Sequence, residues 1–220
     1  MELPGGRQGR MWNIEYKGKL ESDIEQISSN KPMPDGSVMF KEPETSDKAF
    51  AMGALIASPM LLIMFFAGIA RMILVYRGIS EIKFGYGIAA FMIAMILTYV
   101  SQYIHEYIHA FAMPKAVKKQ IYVMPQNQML FVYVEDCVPK ANFLISVLAP
   151  AVILGIIPYI IWFIITPLLP IYVSIGMVMY SFIMTTCAIG DYLNAFNCIR
   201  QVPKGAKVFN RGWHSYWVNR

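Results

Sequence analysis

Three long stretches of the chain contain no charged residue and no histidine, and they limit the possible folds more than any other feature. They are residues 49–70, 84–104 and 141–190. A membrane-spanning helix needs about 20 mostly apolar residues, so the first two stretches predict one span each and the third predicts two. The chain is also 56% hydrophobic and only 15% charged, whereas soluble domains are about 45–50% apolar. We therefore expect a membrane protein.

The third stretch is divided where Pro167 and Pro170 follow each other closely. Each proline removes a backbone donor and clashes with a continuing helix, so one span ends here and the next begins. The prediction is an all-α membrane protein with four transmembrane helices, a small cytoplasmic β-hairpin and a polar N-terminal tail. The predicted parts are a tail over 1–48, a four-helix domain over 49–199 with spans at about 49–75, 86–113, 141–165 and 171–199, and a tail over 200–220.

The distribution of basic residues predicts the orientation of these spans. Four spans place both tails and the 114–140 loop on one side, where sixteen of the 19 Lys and Arg residues lie. Cytoplasmic loops carry the excess of Lys and Arg, so we expect this side to be the cytoplasm. The first 48 residues have no apolar core of a signal peptide, so no cleavage is expected. The excess of Lys and Arg in cytoplasmic segments then accounts for the net charge of +5, and no nucleic-acid partner is expected.

The end of the second span carries the pattern H-E-x-x-H, as His105-Glu106-Tyr107-Ile108-His109. Residues four apart lie on the same face of a helix, so both imidazoles can bind one metal ion. Glu106 points elsewhere and is available to accept a proton from water. Ionisable groups are costly inside a membrane, which favours a functional site. There are two alternatives. The histidines could lie at the membrane interface and hydrogen-bond to the backbone or to lipid headgroups, or they could be a pair that binds no metal.

A catalytic zinc site needs a third protein ligand, and Asp191 is the best candidate. It is the only charged residue in the range 141–199. Counted from the predicted helix starts, His105 and Asp191 lie nineteen and twenty residues along their helices. At ~1.5 Å per residue both are then ~28–30 Å from the outer surface. The alternatives for Asp191 are a carboxylate hydrogen-bonded at the end of its helix, or an ion pair with Arg200.

Other side chains compete for the same position or for a supporting role. Cys187 precedes the aspartate by one helical turn, although a buried free cysteine is more often a core residue. Glu135 and Asp136 are more typical of a solvated pair in the loop, and His214 would have to fold back from the C-terminal tail. Asn194 follows the aspartate by nearly one turn, where it could orient a ligand or bind a substrate carbonyl. A helix-end amide bonded to the backbone is an equally good interpretation.

The loop after the second span contains two runs that favour β-strands. Residues 121–124 and 129–134 are rich in aromatic and β-branched side chains, and 125–128 separate them as a turn. A hairpin here would place a strand edge beside the metal site, where an extended peptide could add as another strand. A hairpin that only lies on the membrane interface is an equal alternative.

Taken together, the H-E-x-x-H pattern in the second span and Gly190-Asp191 late in the last one resemble a known family. It is the group of membrane zincin peptidases long catalogued as a domain of unknown function, which are similar to site-2 protease-type intramembrane metalloproteases. The resemblance covers about 49–200, with a weaker extension to the segment 40–43. The Asn-Pro-Asp-Gly or Leu-Asp-Gly signature of site-2 proteases is absent, because Tyr192 follows the aspartate. The resemblance implies a multi-pass protein of a bacterial cell membrane.

The function predicted from these features is that of a membrane-embedded, zinc-dependent endopeptidase with one Zn²⁺ ion. His105, His109 and Asp191 are the predicted metal ligands, and Glu106 is the predicted catalytic base. The expected substrate is a membrane-spanning or membrane-adjacent protein or peptide. Two alternatives remain: a noncatalytic metal-binding scaffold or regulator, and a small transporter with a metal or proton path. The chain shows no internal repeat, which disfavours the transporter.

Overall fold

The fold is that of a computed structural model and is described for residues 12–20, 32–79, 81, 83–124, 130–212 and 214–219. Over these residues the chain is mostly helical and forms two small β-sheets. The helices are α1 (Ser46–Tyr76), α2 (Phe84–Ala112), α3 (Lys140–Pro150), α4 (Ile157–Ile165), α5 (Ile171–Cys187) and α6 (Ile189–Gln201). A π-helical segment, Ala151–Ile156, joins α3 to α4, and a 3₁₀ turn, Thr166–Leu168, follows α4.

In the described part of the chain, three helices are long and apolar enough to cross a membrane: α1, α2 and the continuous stretch Lys140–Leu168. Helices α5 and α6 are long and apolar enough together, although the chain bends by 46° between them. Counted as one broken span, they form a fourth. Thr45 caps the N-terminus of α1, because its side chain accepts a hydrogen bond from the backbone N–H of Lys48. The four apolar segments found in the sequence therefore all lie on helices, but the last one is broken.

The break between α5 and α6 is a difference from the sequence prediction, which assigned one helix to 171–199. Ala188 leaves the helical conformation, with φ −83° and ψ 15°, and α6 starts in a new direction. Helix α6 packs against α1 and α3. The bend therefore makes Asp191 a first-turn residue of a short helix, where the helix dipole favours a negative charge.

Close contact between α1 and the start of α6 depends on a glycine. Helix α1 turns small residues such as Gly53 and Ala57 towards its neighbours, which lets helix backbones approach closely. A Cβ atom at position 53 would lie 2.7 Å from the carbonyl oxygen of Ile189 and 2.7 Å from its Cγ2. Since a backbone atom cannot be displaced as easily as a side chain, this position requires glycine.

We expect Gly53→Ala to lower the free energy of unfolding by about 1–3 kcal/mol, the usual cost of overpacking. The measurement is thermal unfolding of the purified protein in detergent. Gly176→Ala is the matched control, because a Cβ there would meet only the Ala90 carbonyl oxygen at 3.6 Å, an ordinary contact. Equal stability of the two variants would show that the α1–α6 contact tolerates a methyl group.

The first sheet contains the strands predicted in the loop. Strands β3 (Lys119–Val123) and β4 (Leu130–Tyr133) pair antiparallel, whereas 125–128, the predicted turn, lie outside the described residues. An N-terminal strand, β1 (Ile14–Lys19), pairs parallel to β3 on its other side, which gives the order β1-β3-β4. Burial lowers the pKa of Lys119, whose Nζ donates a hydrogen bond to the carbonyl oxygen of Trp12.

The second sheet was not predicted. It has the order β2-β7-β6-β5, with β2 at Val38–Met39, β5 at Val138–Pro139, β6 at Lys207–Arg211 and β7 at His214–Val218. Strands β6 and β7 form a hairpin whose turn contains Gly212, with a positive φ of 59°. Most of the segment 200–220, expected to be a C-terminal tail, is therefore folded against the helices, and the protein is not purely α-helical.

The segment just before α1 joins this sheet to the helices. Phe40 is only 1% exposed, and its backbone N–H donates to the carbonyl oxygen of Ser215 in β7. The side chain of Gln201, at the end of α6, bonds both the N–H and the carbonyl oxygen of Lys41. The carboxylate of Glu42 accepts from the Ser215 N–H. These contacts fix the second sheet over the end of α6.

Candidate metal centre

The two histidines of the H-E-x-x-H pattern lie side by side on α2. Their Nε2 atoms are 3.1 Å apart, because residues four apart occupy successive turns of one helical face. His105 is only 5% exposed, and the side chain of His109 is largely buried. Two imidazole nitrogens are thus directed at one point near the end of α2.

Asp191 reaches the same point from the first turn of α6. Its Oδ2 lies 3.1 Å from His105 Nε2, and its Oδ1 lies 3.4 Å from His109 Nε2. Asp191 therefore contacts the two histidines and does not form the alternative ion pair with Arg200. The Arg200 guanidinium lies over the ring of Phe196, 5.3 Å from the ring centroid.

The spacing of these atoms fits a zinc ion. Ligands at ~2.0–2.1 Å from a tetrahedral zinc lie about 3.3 Å from each other, and the contacts above range from 3.1 to 3.4 Å. With one ligand atom from each residue, His105, His109 and Asp191 all lie within 4.8 Å of one another. The Asp191 side chain is largely buried, and each of its two oxygens contacts one of the two imidazoles. Buried charged groups are usually paired or bound to metals, so this donor set is suited to a cation.

His109 is held in the orientation that metal binding requires. Its Nδ1 lies 2.8 Å from the backbone carbonyl oxygen of Ser146 in α3. A proton on Nδ1 donated to this carbonyl leaves the lone pair on Nε2, and metal-binding histidines commonly have such an outer partner. The Ser146 hydroxyl donates in turn to the carbonyl oxygen of His109, at 2.8 Å. Helix α3 therefore fixes both the ring and the backbone of this residue.

Glu106 faces a cavity of about 200 Å³ beside the metal-ligand set. The cavity wall also includes His109, Asp191 and Asn194. Val132 of β4 lines the same cavity, so this strand lies beside Glu106. A carboxylate next to the donor set, in a space that can admit a substrate, is placed to exchange protons with water or with a bound peptide.

The other candidates from the sequence lie elsewhere. Cys187 is exposed at the end of α5, because the helix break removes it from the face that carries Asp191. Glu135 and Asp136 line a different cavity, whose wall contains none of the three metal-ligand candidates. His214 Nδ1 lies 3.0 Å from a carboxylate oxygen of Glu42. Within the described residues, the acidic, histidine and cysteine side chains that could hold a metal form the single group already named.

Sequence reasoning missed three contributors to this region. The Ser146 hydroxyl donates to the carbonyl oxygen of His109, and its place as a polar residue inside an apolar span was the available signal. Asn210 and Ser215 close the cavity from the second sheet. No spacing rule links these two residues to the H-E-x-x-H pattern, since they lie more than a hundred residues away in the chain.

Comparison with known proteins gives one match. Residues 98–207, half of the chain, match the model of a protein family described as "Putative zincin peptidase". The matched region contains His105, Glu106, His109 and Asp191, and it ends at the first residue of β6. No curated protein and no solved structure matches the chain.

Proposed function

Because the chain belongs to this zincin peptidase family, we propose that it is a membrane-embedded, zinc-dependent endopeptidase with one zinc ion. The observation that carries the proposal is the convergence of His105, His109 and Asp191, with Glu106 beside them in a cavity. Three protein ligands and an open position are typical of catalytic zinc sites, whereas structural sites use four protein ligands.

In this proposal each residue has a distinct task. His105, His109 and Asp191 hold the ion, which when bound supplies Lewis acidity that makes water more acidic and polarises a carbonyl group. Glu106 accepts a proton from the attacking water and returns it to the amine that leaves when the peptide bond breaks. The Ser146 carbonyl keeps the His109 ring in its binding orientation.

Strand β4 supports a peptide as the substrate. It is the outer strand of the first sheet in the part of the chain that the structure describes. Its residue Val132 lines the same cavity as Glu106, so this strand runs past the proposed base. An extended peptide added to the outer edge of this strand would bring its backbone to Glu106. Zinc peptidases need such an extended chain in order to expose the carbonyl that is attacked.

The membrane orientation is part of the same proposal. Both sheets and the metal-ligand set lie at the ends of the helices that lead into the basic segments of the chain. By the positive-inside rule this end faces the cytoplasm, as do both termini. The substrate would then be a membrane protein, or a peptide near the membrane, that enters from the cytoplasmic side.

A noncatalytic scaffold is the alternative function, and the location of Glu106 favours the enzyme. Metal binding alone needs the three ligands, and it gives no reason for a further carboxylate in the cavity beside them. A buried carboxylate without such a role is costly in a membrane protein.

We expect the purified full-length chain in detergent to cleave fluorescein-labelled β-casein, an unfolded protein, and to lose this activity when 1,10-phenanthroline removes the metal. Adding zinc should restore the cleavage, because apo protein lacks the Lewis acid. The measurement is release of labelled fragments, with metal content determined on the same samples.

The control is the non-chelating isomer 1,7-phenanthroline, which should leave the cleavage unchanged. Cleavage that continued at the same rate in metal-free protein would exclude zinc catalysis. Stoichiometric zinc without cleavage of any tested membrane or unfolded substrate would favour the scaffold.

A further inference from the structure

We propose that Asn210 binds the backbone of the peptide substrate and sets the register in which it lies beside the metal site. The inference rests on the proposed peptidase function and adds a binding residue from the C-terminal hairpin. All of this hairpin except its first residue, Lys207, lies beyond the end of the family match.

Asn210 lies where the outer edge of β4 ends. Its backbone N–H donates to the carbonyl oxygen of Val134, at 3.4 Å, just after the last residue of β4. In a strand, alternate residues direct their backbone groups to the same edge, so Val134 faces the same way as Val132. Val132 and Val134 both line the cavity that holds Glu106, and the carbonyl oxygen of Val134 is already bonded to β6. A strand added along β4 must therefore stop at Asn210.

The side chain of Asn210 offers an acceptor at this point. Its Oδ1 is buried and has no hydrogen-bond partner among the described residues. The residue also lines the cavity that contains Glu106, His109 and Asp191. A buried amide oxygen without a partner is uncommon and calls for an explanation. The N–H of an incoming peptide at the end of the added strand is the donor that this oxygen lacks.

The support beneath Asn210 is rigid enough for this role. Asn210 pairs with Ser215 across the β6–β7 hairpin, and Ser215 is bonded through its N–H to the carboxylate of Glu42 and through its carbonyl oxygen to the N–H of Phe40. The acceptor is thus fixed on a paired strand instead of a loop. A fixed acceptor at the end of an open edge selects one register, because a one-residue slip of the substrate would turn its N–H away.

The test uses a pair of isosteric substitutions, Asn210→Val and Asn210→Thr. Both residues are β-branched and suit a strand, but only Thr keeps a hydrogen-bond acceptor. Binding is measured with the zinc-loaded, full-length protein in detergent, by anisotropy of fluorescein-labelled β-casein, in a Glu106→Gln background that prevents cleavage. With Glu106 intact, mass spectrometry maps the bonds that are cut.

We expect Asn210→Val to weaken casein binding about tenfold, as the loss of a buried hydrogen bond predicts, and to spread cleavage to neighbouring bonds. Asn210→Thr should retain most of the affinity and the original cut positions. Unchanged binding and cut positions in Asn210→Val would overturn the inference, as would equal losses in both variants, which indicate a structural role only.

The two proposals fail separately. If no bond is cut by the wild type but casein still binds and Asn210→Val weakens the binding, Asn210 binds peptide and the peptidase proposal is wrong. If the wild type cuts casein and the Val variant behaves identically, only the role of Asn210 is wrong. Absence of both binding and cleavage contradicts both.

Discussion

Glu106→Gln should bind one zinc ion per chain and cleave substrate at least about 100-fold more slowly than the wild type. Removal of a positioned acid–base group typically costs a factor of 10²–10⁴ in rate. The amide has nearly the shape of the carboxylate but cannot accept the proton of water. Zinc content should not change, because the metal-ligand group consists of His105, His109 and Asp191. The measurements are the cleavage rate and the metal content of one preparation.

Glu135→Gln is the matched control for this variant. It makes the same chemical change, but Glu135 lines a separate cavity that the metal-ligand group does not share. It should therefore cleave at the wild-type rate. Wild-type cleavage by the Glu106→Gln protein would exclude this residue as the base. Loss of both zinc and activity would instead indicate a structural role for Glu106.

The helices and the core of the site could be predicted because charge is scarce in this chain. In an apolar segment, a charged residue must either end a span or serve a site. The charge-free stretches thus marked the helices, and Asp191 stood out as the one acidic residue between 141 and 199. Counting helix depth then placed it beside His105, and the two side chains are 3.1 Å apart.

The break in the last span could not be predicted from such counting. No proline lies near Ala188, and a single glycine at position 190 costs a helix only about 1 kcal/mol, so the local sequence gives no definite end to the helix. The bend depends on packing, since α6 turns to contact α1 and α3. The same bend explains why Cys187, which was expected on the helical face of Asp191, is exposed instead.

The second sheet was missed for a different reason. Its strands come from three distant parts of the chain, and two of them have only two residues each. Short strands carry little alternation, so their pairing is decided by long-range contacts such as Phe40 with Ser215. For the same reason, local sequence patterns could not predict that Asn210 is part of the cavity wall.

Asp191→Asn should reduce zinc affinity by at least about 100-fold, because even changes in the groups that orient a metal ligand typically cost 10–100-fold. The amide keeps the size of the side chain but has no negative charge, and neutral amides are poor zinc ligands. His105 and His109 alone leave the ion with two protein ligands. The measurement is zinc binding by competition with a fluorescent chelator, with cleavage assayed at saturating zinc.

Asp136→Asn is the control, because it makes the same substitution at an aspartate that accepts a hydrogen bond from the Lys118 N–H and lies outside the metal-ligand group. It should keep wild-type affinity for zinc. If Asp191→Asn bound zinc as tightly as this control, the carboxylate would not be a ligand, and its contacts with the two histidines would be electrostatic only. Loss of zinc in Asp191→Asn with Glu106 intact, beside loss of cleavage in Glu106→Gln with zinc intact, would separate the residues that hold the ion from the residue that moves the proton.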